Sequence, residues 1–315
     1  MTERCGYVAI LGRPNAGKST LFNALTGHKL ASVSAKPQTT RGRILGVCTE
    51  GQAQLLFLDT PGMHNPAGKP KLNSVMNKVA WGVAADADLI AYLIPADSGW
   101  LQEDADYLQN LLRHSTAPIL VLATKIDSAK HLVIQHGISN IREGWRAMLT
   151  LHPDIDVKGR MLADVPYGVS AKRPESVRKL RDDLFAEMPE GPWLFPKDGL
   201  TDLPQQAVCG ELIREQLFRQ LDQEIPYGCA VKIETMHESP KCTSISSSII
   251  VSRANHKAMV IGKGGMRIKS IGTKARLVLE RHLGGPVFLE LNVKVENDWI
   301  NDARLIADYE MNTNL

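Results

Sequence analysis

The stretch that most limits what this chain can fold into is Gly12-Arg13-Pro14-Asn15-Ala16-Gly17-Lys18-Ser19, preceded by the apolar run Tyr7 to Leu11 and followed by Thr20-Leu21-Phe22-Asn23-Ala24-Leu25-Thr26-Gly27. A strand, a glycine-bearing loop and an amphipathic helix in that order turn main-chain N–H groups and a helix N-terminus toward one point, an arrangement suited to phosphate. Gly12 and Gly17 let the backbone bend inward, Lys18 carries a point charge for the outer phosphates, and the Ser19 hydroxyl is a hard ligand for Mg²⁺. Gly27 is placed to end the helix. The loop predicts a chain that holds a nucleoside triphosphate.

With 315 residues there is room for two domains. Net charge is only +3, so a nucleic-acid partner has to be read from local clustering. Cys5, Cys48, Cys209, Cys229 and Cys242 show no metal-ligand spacing and read as reduced thiols of a cytosolic protein. The amino terminus leads straight into the first strand, which leaves no room for a signal peptide, and no apolar run has the length of a membrane span.

After the first helix, residues 32–43 are polar and aperiodic and read as a loop. Ile44 to Thr49 and Gln54 to Leu58 flank a hairpin signal, and the second run ends on Asp59-Thr60-Pro61-Gly62. A carboxylate at a strand's end followed by a flexible glycine suits the far side of a nucleotide site: Asp59 holding the Mg²⁺ shell through water, and the Gly62 N–H sensing the γ-phosphate. Residues 63–80, with Pro66, Gly68 and Pro70, read as a second mobile segment leading into a helix that ends near Asp86. Leu89 to Ile94 and Pro118 to Ala123 are apolar runs of the kind buried on both faces of a parallel sheet, and helical spacings separate them. Such alternation predicts an α/β doubly wound, mostly parallel sheet with its site at the carboxyl ends of the strands.

Thr124-Lys125-Ile126-Asp127 and Ser170-Ala171-Lys172 each follow such a strand, and they resemble the two base-contacting boxes of the small GTP-binding proteins. Asp127 would accept from the ring N–H and amine of guanine, the Ala171 N–H would donate to its carbonyl, and Lys125 would lie over the base. Adenine reverses both contacts and leaves a buried carboxylate unpaired. Thr124 departs from the commoner Asn. Gln38-Thr39-Thr40-Arg41 matches the first switch of this class, in which one Thr closes over Mg²⁺; Thr40 is favoured over Thr39. Met63 stands where Ras-like enzymes carry a water-orienting Gln, so slow intrinsic hydrolysis of GTP to GDP is expected, with Lys18, Thr40, Gly62 and Asn15 as the catalytic set. Asn15 resembles the residue by which some relatives bind an activating K⁺; it reads equally well as a turn former.

Pro189, Pro192, Pro196 and Pro204 with Gly191 and Gly199 end the alternation, and Trp193 and Phe195 imply a linker that packs on a domain. Beyond it, Val208, Leu212, Ile213, Leu217 and Leu221 form a helical stripe, followed by two strands and then Gly262-Lys263-Gly264-Gly265 between Ile261 and Ile268. A Gly-x-x-Gly turn between helices resembles the KH nucleic-acid-binding module, whose turn approaches a nucleotide backbone. Arg267, Lys269, Lys274 and Arg276 follow on the next helix, whose expected buried face is Ile268, Ile271, Ala275 and Val278. Between Arg253 and Arg281 the only acid is Glu280. The order helix, strand, strand, helix, helix, strand matches the smaller α+β type II KH fold.

A guanine-nucleotide domain over 1–188, a linker over 189–204 and a KH domain over 205–315 resemble the Era family of bacterial ribosome-associated GTPases, most specifically in Gln-Thr-Thr-Arg, Met259-Val260-Ile261-Gly262 and Ile225-Pro226-Tyr227. The resemblance implies binding near the 3′ end of 16S ribosomal RNA during 30S subunit assembly, a nucleotide-controlled presentation of the KH face, a monomer, and a peripheral contact with the inner membrane. Two other readings stand beside a GTPase switch. One is an RNA-binding assembly factor for which GTP is a structural ligand; the other is a P-loop kinase or ATPase, which the guanine boxes argue against.

Overall fold

The computed structural model describes residues 2–34, 36–63, 71–155, 157, 159–163 and 166–310. Among them, residues 2–28, 43–63 and 76–202 form one compact unit, and residues 29–42, 71–75 and 203–310 form another. The division is not the single cut that the linear sequence suggests, because two segments from the amino-terminal half make their contacts with the carboxyl-terminal one.

The first unit is built on β1 (Arg4–Gly12), α1 (Lys18–Thr26), β2 (Ile44–Glu50), β3 (Ala53–Asp59), α2 (Lys71–Asp86), β4 (Leu89–Pro95), α3 (Gln102–His114), β5 (Ile119–Thr124), α4 (His131–Leu151), β6 (Tyr167–Gly168) and α5 (Pro174–Glu187). Strand order is β2-β3-β1-β4-β5-β6. Only β2 runs antiparallel, as the first arm of a hairpin whose last pair is Glu50 with Ala53 and whose tip Gly51 is left-handed at φ 60°. Every residue of β4 and β5 is buried, as expected of strands covered on both faces. One face is closed by Leu108, Leu111 and Leu112 of α3 and by Ile134, Ile141, Trp145 and Met148 of α4. Residues 189–202 stay with this unit: Gln54, fully buried, accepts from the N–H groups of Leu194 and Phe195 at 3.0 Å each and donates to the Phe195 carbonyl at 2.9 Å.

The segment expected to be irregular from residue 63 to residue 80 is helical from Lys71 onward, and residues 64–70, with Pro66, Gly68 and Pro70, lie outside the described residues. The helix's buried positions Leu72, Met76, Ala80, Val83 and Ala84 fall at helical spacing.

The second unit contains α6 (Gln205–Gln220), a 3₁₀ turn at Ile225–Gly228, β7 (Cys229–His237), β8 (Thr243–Val251), α7 (Ala254–Ile261), α8 (Met266–Leu283), β9 (Val287–Val295) and α9 (Ala303–Glu310). Its sheet has the order β7-β8-β9, with β7 antiparallel and β9 parallel to β8. Helix α6 is buried well beyond its apolar stripe, including Arg214, Glu215 and Gln216. Residues 29–42 account for this. Lys29 Nζ donates to Glu215 at 2.9 Å, Ser32 Oγ to Glu211 at 2.9 Å, and Lys36 Nζ to Asp222 at 3.2 Å.

The deepest of these attachments is Arg41. Its side chain has no solvent exposure; it pairs with Glu310 of α9 and donates to the carbonyls of Pro226 at 3.1 Å, Tyr227 at 3.0 Å and Cys229 at 3.0 Å. The guanidinium carbon lies 5.5 Å from the Phe218 ring centre and 5.8 Å from that of Trp299. Removing such a cation strands a buried carboxylate, so Arg41→Ala is expected to lower the unfolding free energy by about 3–5 kcal/mol. Arg41→Lys should recover little, since an ammonium lacks the planar fork that spans several acceptors. Urea unfolding of the full chain measures both; a midpoint unchanged by Arg41→Ala would count against the assignment.

Candidate functional site

Strand β1 ends at Gly12, with φ 140°, and α1 is opened by Gly17 at φ 96°. A Cβ at Gly12 would lie 2.5 Å from the Leu93 carbonyl oxygen, so the loop's exit from the sheet requires glycine. Asn15 is exposed and left-handed at φ 60°, a conformation that Asn tolerates better than most residues. Lys18 is buried and donates to the carbonyls of Gly12 at 3.0 Å and Arg13 at 2.9 Å. Arg13, Pro14 and Ala16 shape this loop, and Ser19 and Thr20 follow on the first turn of α1. The Arg13 side chain is directed to Asp104, and its main-chain carbonyl accepts from Lys18.

The Asp59-Thr60-Pro61-Gly62 motif is laced onto the same loop. Asp59, fully buried, is level with Ile10 in the parallel register of β1 and β3, and the Thr60 hydroxyl donates to the Ile10 carbonyl at 2.8 Å. A Cβ at Gly62 would sit 2.9 Å from Pro14 Cα, and the Met63 N–H points at the Gly12 carbonyl at 3.4 Å. Met63 itself is 2% exposed and packs in the hydrophobic core. It presents nothing that could orient a water.

At the other end of the loop, the Thr124 hydroxyl donates to the Ala16 carbonyl at 2.7 Å. Asp127 accepts from the Ser170 hydroxyl at 2.6 Å and faces Lys172 Nζ at 3.3 Å. The Ser170 hydrogen bond, more than any charge, holds its carboxyl below the usual range. Lys125, Asp127, Ala171 and Lys172 line a cavity of about 140 Å³ together with Gly17, Thr20 and Leu21 of the loop and helix. One residue that sequence reasoning missed also belongs here. Asp97, just past β4, lies 4.0 Å from Lys125 and accepts from Ser128 Oγ at 3.3 Å. Its position after the carboxyl end of a parallel strand was the available signal.

In the second unit, Gly262, Gly264 and Gly265 are all left-handed, at φ 73°, 57° and 76°, and Lys263 is exposed between them. A Cβ at Gly262 would meet Arg267 Cβ at 2.7 Å, whereas Gly264 and Gly265 face open space. A groove of about 300 Å³ runs beside the turn between α8 and β9, lined by Ile268, Lys269, Gly272, Thr273, Arg276, Leu289 and Leu291. The buried face of α8 is Ile271, Ala275 and Leu279. Ile268 is therefore a groove residue and not the core residue expected, and Val278 is only half-buried, because β9 crosses one position further round the helix. Lys269 and Arg276 flank the groove, and Lys274 is exposed. Arg267 is partly committed, donating to the Met259 carbonyl at 3.0 Å. Leu289 and Leu291, missed earlier, were legible as alternate positions of one strand face.

Burial pushes the Lys18 ammonium down to about 8, an effect that the Asp59 charge opposes. Phosphate favours the charged form, so nucleoside diphosphate affinity should be flat below about pH 8. It should weaken by up to about tenfold per pH unit above that value. A GDP titration from about pH 6.5 to 9.5 checks this, and a profile that is level through pH 9 would contradict it.

Residues 7–125 match the family described as 50S ribosome-binding GTPase, and residues 224–300 match the KH domain. GTPase Era of Xylella fastidiosa is 40% identical over 307 residues, 97% of each chain. GTPase Era of Stenotrophomonas maltophilia is 40% identical over 308 residues, 98% of this chain and 97% of the other. The structure of Era in complex with MgGDPNP and nucleotides 1506–1542 of 16S ribosomal RNA superposes with a TM-score of 0.85 at 35% identity, covering 98% of both chains. A substituted Aquifex aeolicus Era bound to GDP·AlF₄⁻ gives 0.84 at 36% identity, covering 97% of this chain and 98% of that one. At 40% identity over 97% of each chain, and with superposition over 98% of both chains at a TM-score of 0.85, the chain belongs to the GTPase Era family.

Proposed function

We propose that this chain is a GTP-hydrolysing switch whose second unit binds 16S ribosomal RNA near its 3′ end and assists assembly of the 30S subunit. The observation that carries this reading is the presence, in one chain, of a phosphate loop joined to a guanine box and a glycine turn beside a groove with an apolar floor and cationic flanks. In the first unit, Gly12 to Thr20 cradle the phosphates, with Lys18 leaving the loop carbonyls for the outer ones. Asp127 and the Ala171 N–H read the base, with Lys125 over it and Ser170 and Lys172 holding Asp127. Ser19, Thr40 and, through water, Asp59 are the Mg²⁺ ligands. The fit rests on chemistry: Ser19 and Asp59 are hard oxygen donors, and a buried carboxylate such as Asp59 calls for positive charge nearby. Bound there, the metal would neutralise charge on the β and γ phosphates. Thr60 and Pro61 set the turn that brings the Gly62 N–H to the γ-phosphate.

With Met63 in the core, no side chain of the Asp59 motif orients water, so intrinsic turnover is slow and other charge must meet the transition state. Asn15 ligating K⁺ is one source; its left-handed backbone supports the turn-former reading as well. Turnover should be several-fold higher in K⁺ than in Na⁺, and equal rates would remove the ion from the scheme. In the second unit the open space around Gly264 suits a phosphate backbone, while Lys263, Gly265, Arg267, Lys269, Lys274 and Arg276 supply its surroundings. The family resemblance also carries a monomeric, cytoplasmic protein with a peripheral inner-membrane contact into this proposal; among the described residues no helix is long and apolar enough to cross a membrane.

The competing reading makes GTP a structural ligand. Affinity for an RNA of the 16S 3′ end, measured with a GTP analogue, GDP and no nucleotide, separates the two: the switch expects differences of several-fold, and equal values would favour the structural ligand. Gly264→Asp should weaken that RNA by roughly tenfold or more through repulsion of phosphate while leaving GDP affinity unchanged. Unchanged RNA binding would displace the site.

A further inference from the structure

Within the phosphate loop, one side chain faces away from the ligand. Arg13 Nε donates to Asp104 Oδ1 at 2.9 Å, and Nη2 donates to the Gly99 carbonyl at 2.8 Å. The pair is buried, with side chains 9% and 0% exposed. Asp104 is held from two further directions, by the Tyr92 hydroxyl of β4 at 3.2 Å and by the Leu101 N–H ahead of α3 at 2.9 Å. Its carboxylate is therefore a fixed point of the sheet-and-helix scaffold. The main chain of Arg13 lies on the other side of the matter, since its carbonyl is one of the two that accept the Lys18 ammonium.

A loop that turns on glycines at both ends, with an exposed Asn15 between them, has little packing of its own to fix its shape. Besides the Lys18 ammonium on the Gly12 and Arg13 carbonyls and the Asp59 motif against Gly12 and Pro14, two side-chain attachments supply it. One is the Thr124 hydroxyl on the Ala16 carbonyl, which belongs to the guanine box. The other is Asp104 on Arg13, which lies outside every nucleotide motif of the chain.

We propose that Asp104 is a positioning residue for nucleotide binding: acting through Arg13, it fixes the loop carbonyls and the starting position of Lys18, and so sets phosphate affinity without touching the ligand. This rests on reading Gly12 to Ser19 as the nucleotide site. The geometry also predicts what the brace leaves alone. It meets none of the base-contacting residues, so preference for guanine over adenine should not depend on it.

The test is GDP affinity, KM and kcat for GTP, and the thermal midpoint of the nucleotide-free full chain. Wild type comes first: if it bound no GDP, the nucleotide-site reading would fail and not the brace. Asp104→Asn should weaken GDP and raise KM by about tenfold while the preference for GDP over ADP persists. Because an unpaired buried Arg13 could itself unfold the protein, the decisive variant is Arg13→Met with Asp104→Leu. Apolar replacement of both members of a buried ion pair is commonly tolerated. It should restore the thermal midpoint but leave GDP affinity about tenfold weak, because nothing then ties the loop to α3. Arg13→Lys, which keeps a cation on Asp104 but cannot also reach Gly99, should fold and lose affinity several-fold. If either the double variant or Arg13→Lys folded and bound GDP within about twofold of wild type, Asp104 would be a structural residue only.

Discussion

A guanidinium without solvent contact calls for acceptors inside the protein, and the two terminal nitrogens of Arg41 find them in Glu310 and the carbonyls of Pro226, Tyr227 and Cys229, while Nε has no hydrogen-bond partner among the described residues. That requirement organises the second unit. It draws the 3₁₀ turn before β7 and the end of α9 to a single point, with Phe218 of α6 and Trp299 packed on the cation. It also commits a segment that lies, in sequence, between the phosphate loop and Asp59 to the packing of the carboxyl-terminal half. Apolar burial cannot specify such a point of convergence, being non-directional; a planar fork with fixed donor directions can.

Magnitudes distinguish the two ends of that segment. Lys36 pairs with Asp222, whose side chain is largely exposed, and such pairs are typically worth less than about 1 kcal/mol. Lys29 meets the buried Glu215, but Arg219 also pairs with that carboxylate, so losing Lys29 would not leave it stranded. Arg41 makes the direct contact with Glu310, with the buried Arg214 as a second cation in electrostatic range of it. Lys36 is thus held by an ion pair that can be exchanged with water, and Arg41 by contacts that cannot. Thr39 and Thr40 lie between the two, next to the fixed end.

How much of this was legible in the sequence follows from the range of each interaction. The strand, loop and helix around Lys18, the carboxylate at the end of β3 and the boxes at Thr124 and Ser170 are each defined by residue types at short spacing, and the alternation of apolar runs placed them all at one edge of a sheet. The hairpin, the packed linker and the element order of the second unit were legible for the same reason. What escaped was set by partners far along the chain. Arg13 reads as a phosphate-loop residue until Asp104, ninety-one positions away, claims its side chain. Ile268 reads as core because helical spacing cannot tell a buried face from the wall of a groove. Residues 71–80 read as loop because Pro66, Gly68 and Pro70 just before them outweighed a stripe, Leu72, Met76 and Ala80, that is present at helical spacing.

The change from Asn to Thr at position 124 shows how a box can keep its role after losing part of its chemistry. A hydroxyl has one donor, and at Thr124 it is spent on the Ala16 carbonyl, which leaves no amide to share with a base. Under the proposed function, base choice then falls on Asp127 and the Ala171 N–H. Without a base, Asp127 is kept charged by Ser170 and accompanied by Lys172, whose side chain is 76% exposed. A guanine offers two N–H donors to that carboxylate; to take them it need release only Lys172, a screened surface pair of small worth, while the Ser170 bond can remain. Adenine offers no matching donors at that carboxylate and would have to displace the same lysine for nothing in return. Under the proposed function, discrimination survives the loss of the amide, because it depends on a carboxylate that the Ser170 hydrogen bond keeps ionised.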